Sequence, residues 1–115
     1  MTETCVLISV AKAAIDAAEH AGHEPLETTQ ANADRVMTRL CQWRDPHIRK
    51  FFNDGIPFDG QELCVEAALL IDAIFRMVRA RGEVLGLQAA IVKAHIDLVR
   101  FEISILQNRT GEEPG

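Results

Sequence analysis

Apolar residues recur along this chain at helical spacing, in four long runs and one short one. Over residues 61–81, Leu63, Ala67, Leu70, Ile71, Ile74, Phe75, Met77 and Val78 share one arc at about 100° per residue. Gln61, Glu62, Glu66, Asp72, Arg76 and Arg79 share the other, and Asp72 and Arg76 are spaced to pair. Asp59 with Glu62 reads as a capping box, and Gly82 after Arg79 and Arg81 as a stop. An earlier helix starts at Thr2 or Thr4 and runs to about Ala21, with Leu7, Ile8, Ala11, Ala14, Ile15 and Ala18 in register, and Gly22 ends it. After a connector over residues 23–28, Thr28 or Thr29 caps a second helix to about Trp43, with Ala33, Val36, Leu40 and Trp43 as its stripe. Asp45 and Pro46 read as an N-cap and first position, predicting a short helix over about residues 46–52. Asn53, Asp54 and Gly55 predict a turn, and residues 56–60 an extended link. A last helix is predicted over about residues 87–108, with residues 83–86 as a loop or a fraying turn. No segment alternates with a strand period. The reading is all-α: a compact bundle of four long helices plus one short helix, a single domain over residues 1–108 with a flexible tail over 109–115.

The last helix carries two apolar stripes. Leu87, Ala94 and Phe101 repeat every seven residues, as do Ile91, Leu98 and Ile105, and together they form the first. Ala89, Val92, Ile96, Val99, Ile103 and Leu106 form the second, about 100° or more away. Gln88, His95, Glu102 and Arg109 run between them. One stripe meets the core, and the other needs a helix of the same chain or a second molecule. A homodimer is therefore expected. Enclosing Gln88, His95 and Glu102 requires partners for their polar atoms, in a structural seam or in a ligand groove.

A chain of 115 residues is long enough for one unstapled core, and its 25% charged fraction is ordinary for a globule. The net charge of -5 argues against nucleic acid or an anionic membrane as main partner. Cys5, Cys41 and Cys64 are widely spaced and odd in number, so free, buried thiols in a reducing compartment are expected. With no secretory signal at the start, a cytoplasmic location is expected. Glu66 and Asp72 break the longest apolar run before membrane-spanning length.

No phosphate loop, nucleophile elbow or paired-cysteine motif is present in the sequence. Asp16 and His20 stand four apart, a metal-ligand spacing, but Gly22 follows and no further ligand is suitably spaced. Residues 43–52 mix Trp43, Phe51 and Phe52 with Arg44, Arg49 and Lys50, and Phe58 lies close by. Aromatics beside arginine suit a protein hot spot, and an acidic protein partner fits the local charge better than nucleic acid. The structural reading is an aromatic cap on the end of the bundle. Glu62, Glu66 and Asp72 line one side of a helix, which resembles the magnesium-binding acids of the all-α nucleotide pyrophosphohydrolases. The resemblance covers about a dozen residues and implies a metal-dependent hydrolase. The adjacent glutamate pair of that family is missing, and Asp97 and Glu102 do not match its second acidic pair. The expected function is a small non-catalytic protein-binding module, a regulator, adaptor or inhibitor, without metal or cofactor.

Overall fold

The structure, a computed structural model, describes residues 3–80 and 83–111. They form four helices: α1 (Glu3–His20), α2 (Leu26–Asp54), α3 (Gln61–Arg79) and α4 (Glu83–Thr110). No strand occurs among the described residues, so the fold is all-α. The expected cap at Thr2, the stop at Gly82 and the last part of the tail, residues 112–115, lie outside the described residues.

α1 and α3 are the central pair, and each touches every other helix. α2 and α4 flank them, and among the described residues these two do not touch. The alanine-rich face of α1 permits this crowding: Ala11, Ala14, Ala17 and Ala18 are all buried. Leu7, Leu40, Leu70, Ile71 and Ile74 fill the centre with no exposed surface. Each fully buried aliphatic side chain of this kind contributes about 1.5–3 kcal/mol of transfer free energy. The Asp72–Arg76 pair forms as expected, at 2.9 Å, on the outside of α3.

The short helix is not separate. α2 runs unbroken for 29 residues with Pro46 inside it. A proline there removes one ladder bond and crowds the preceding turn, at a cost of about 3 kcal/mol. Side-chain contacts within α2 and to α1 cluster at that point. The Trp43 and His47 rings stack 4.2 Å apart across Pro46, and His47 Nδ1 lies 2.7 Å from the Trp43 carbonyl oxygen. The Trp43 indole N–H donates to the Glu3 carbonyl of α1 at 2.8 Å. Asp45 is not a cap; it pairs with Arg44 at 3.2 Å. The helix ends at Gly55, whose left-handed φ of 67° returns its N–H to the Lys50 and Phe51 carbonyls.

Three other boundaries differ from expectation. α2 starts at Leu26, and Thr29 is a buried tie whose hydroxyl donates to Glu24 at 3.0 Å. α4 starts at Glu83, where a loop or fraying turn is expected, and includes Arg109. The N-cap of α3 is Gly60, with no side-chain cap, and Asp59 instead accepts a hydrogen bond from Arg109 at the far end of α4. Gly60 sits at φ 92°, and a Cβ there would stand 2.5 Å from Leu7 Cδ2. The left-handed φ, with the Leu7 side chain packed beside it, favours glycine here, and the turn geometry replaces the capping box.

The three cysteines are unbridged, but only Cys64 is buried; Cys41 is half-buried and Cys5 is exposed. Burial pushes the Cys64 thiol up from its ordinary value. No helix among the described residues is long and apolar enough to cross a membrane.

Candidate protein-interaction surfaces

The two stripes of α4 separate cleanly. Val92, Ile96, Val99, Ile103 and Leu106 point into the core and are buried. Ala89, grouped with them by spacing, is exposed. On the other stripe Leu87 is 62% exposed, Leu98 46%, Phe101 61% and Ile105 37%. Ala94 is exposed between them, and Ile91 is half-buried. Val84 extends the same seven-residue series by one step and is also exposed. The strip is about 30 Å long at the helical rise. None of the described helices covers it.

Between the stripes Gln88, His95 and Glu102 are all half-buried. Gln88 Oε1 and His95 Nδ1 are shut off from water and have no hydrogen-bond partner. The expectation that enclosed polar atoms find partners fails for these two within a single chain. Each unpaired buried group costs about 1–3 kcal/mol. Glu66 Oε2 on α3 is in the same state. The polar strip therefore borders the bare apolar stripe and is itself incomplete.

The aromatic–basic segment divides into floor and surface. Trp43 is buried, and Phe58 lies edge-on to it at 6.0 Å, packed against the core. Phe51 and Phe52 are 47% and 78% exposed, with their rings 5.6 Å apart. A hollow of about 200 Å³ opens among Arg44, Ile48, Phe51, Phe52, Phe58 and Val65. Arg49 and Lys50 are exposed nearby in sequence, whereas Arg44 is held by Asp45, which raises its pKa. The hollow is large enough for one apolar side chain with a basic rim.

Sequence reasoning missed two contributors, Val65 and Leu69, which are exposed on α3. The signal was present: both fall at helical spacing among Glu62, Glu66 and Asp72, on the polar arc. It also missed the link between His47 and Glu3. His47 Nε2 lies 2.9 Å from the Glu3 carboxylate, and this contact holds the Glu3 carboxyl below its ordinary value. Glu3, His47, Lys50, Ile56 and Asp59 surround a smaller hollow of about 190 Å³.

Glu62 is exposed, Glu66 is half-buried and Asp72 is engaged by Arg76. Among the described residues, no three such side chains are grouped to hold a metal ion. Asp16 and His20 form only a local pair: His20 Nδ1 lies 2.8 Å from the Asp16 carbonyl oxygen, which raises the histidine pKa. No protein-family model, no curated protein and no solved structure matches this chain.

Proposed function

We propose that this chain is a non-catalytic helical protein-binding module that works as a homodimer. Two copies share the outward stripe of α4, and the Phe51–Phe52 end of α2 takes a protein partner in the role of regulator, adaptor or inhibitor. The carrying observation is the exposure of Leu87, Leu98 and Phe101 on one line of a helix whose opposite line is buried from Val92 to Leu106. Scattered exposed apolar residues are ordinary, but a continuous seven-residue series is the pattern of a helix–helix seam. At the partner end, aromatic side chains around an apolar hollow with Arg44 in its lining, and the exposed Arg49 and Lys50 in the same segment, suit an acidic partner segment. The three unbridged thiols suit a reducing compartment, and the cytoplasm is the proposed location.

Size-exclusion chromatography with light scattering tests the reading. At micromolar concentration the expected mass is twice 12.8 kDa. The double substitution Leu98→Asp and Phe101→Asp is expected to return a monomer with unchanged helical circular dichroism. A wild-type monomer at that concentration overturns the dimer.

A further inference from the structure

Resting on the reading that two copies share α4, we infer that the shared helices run antiparallel, with residue 96 of each at the same level. The stripe is self-complementary in that direction. About residue 96, Leu87 lies level with Ile105 of the partner subunit, Ile91 with Phe101 of the partner subunit, and Ala94 with Leu98 of the partner subunit. All six of these positions are then matched, while Val84 falls level with Asn108 of the partner subunit, beyond the matched layers. Each layer combines one side chain from each of the two repeating positions, so Ala94 never meets Ala94 and Phe101 never meets Phe101. Parallel pairing stacks Ala94 on its mate, leaving a gap, and Phe101 on its mate, overfilling the next layer but one.

Charge points the same way. In a parallel pair, Asp97 stands beside Glu102 of the partner subunit on both edges of the seam. The antiparallel pair removes both contacts and leaves one like-charged approach, Asp97 to its mate. It also sets the edge of Gln88, His95, Glu102 and Arg109 against the same edge reversed. Glu102 then falls near His95 and Gln88 of the partner subunit, and Arg109 near Gln88 of the partner subunit.

The area is adequate. The exposed apolar surface of the stripe is on the order of 500 Å², near the upper end for the largest patch of a monomer. With its polar edges it approaches the ~800 Å² that each partner buries in a standard interface. α4 is an outer helix that does not touch α2 among the described residues, so its far side is open to a second rod.

The test is a distance between nitroxide labels at residue 86, in full-length Gly86→Cys chains with Cys5 and Cys41 replaced by Ser. Gly86 suits the label because an added Cβ there meets nothing within 4 Å. In the antiparallel pair the two labels are about 30 Å apart along the axis, giving an expected separation of about 35 Å between spins once the spacing of the helices is added. In a parallel pair they are level, and the separation falls to about 20 Å or less. Disulfide capture is the second measurement. A mixture of Ala94→Cys and Leu98→Cys chains should cross-link as the mixed pair, with little self-cross-linking of Ala94→Cys, because disulfides demand close Cα approach. A dimer with the long distance and the mixed cross-link supports the proposal. A dimer with the short distance, or with Ala94→Cys joining itself, overturns the antiparallel pairing and leaves the shared α4 standing. A monomer, or a dimer that persists in the Leu98→Asp and Phe101→Asp variant, overturns both.

Discussion

α2 and α4 are close in length, 29 and 28 residues, and flank the same central pair. They finish the bundle differently. α2 buries Ala33, Val36, Leu40 and Trp43 on one line and turns Asp34, Arg35, Thr38 and Arg39 to water. α4 buries an equally complete line and turns a second apolar line outward. The inward line of each helix suffices for folding. What distinguishes them is therefore the outward line: along residues 34–39 that of α2 is polar, whereas that of α4 is a strip of exposed apolar side chains.

The largest effects should be the same on both helices. Leu40→Ala in α2 and Leu106→Ala in α4 remove side chains with almost no exposed surface. Each is expected to lower the unfolding free energy by about 2–5 kcal/mol, read from urea denaturation at any protein concentration. The next effect should separate the helices. Leu98→Ala is expected to lower the melting temperature by several degrees where the dimer is populated, and hardly at all below its dissociation constant. Arg35→Ala on the outward face of α2 should change neither. A loss for Leu98→Ala that does not depend on concentration would break the comparison. Pro46→Ala probes the continuity of α2. Restoring an N–H to an unbroken rod is expected to raise stability by about 2 kcal/mol, net of the freedom returned to the unfolded chain. A loss of stability would mean that Pro46 begins a helix of its own.

The smallest effect concerns the point where α1 is tied to α2. The hydrogen bond from His47 and the charge of that ring hold the Glu3 carboxyl below its ordinary value of 4.5. A carboxyl with a lower pKa in the folded state stabilises the fold fully above its unfolded value, and loses that contribution as pH falls through the folded one. Thermal melts between pH 6 and pH 3 should therefore fall less steeply for Glu3→Gln than for the natural chain. The difference should be small because Glu3 is exposed to solvent.

The double stripe of α4 was legible because a seven-residue repeat is arithmetic on the sequence, and burial sorted the two lines as spacing implied. The continuity of α2 was not. Asp45 followed by Pro46 has the same local chemistry at a helix start as at an exposed mid-helix position. The choice is made by Trp43 and His47 through contacts with Glu3, 40 and 44 residues away. The capping box at Asp59 failed for a similar reason, since Arg109 claims that carboxylate from 50 residues along the chain. Within the partner end, spacing identified the aromatics together but could not tell that Trp43 lies beneath and Phe52 above. That distinction depends on the packing of α1 and the 56–60 link against α2.

Trp43 is the only tryptophan in the chain, and it is enclosed with its ring face against an imidazole. Ultraviolet-excited emission from this protein therefore reports on one spot, the joint between the first turn of α1 and the middle of α2. Blue-shifted light signals that the joint is closed, and a shift to the red signals that water has entered it. The imidazole dims the signal when it carries a proton. The outward stripe of α4 lies elsewhere on the molecule, so the dimer proposed there would form or dissociate without altering this glow.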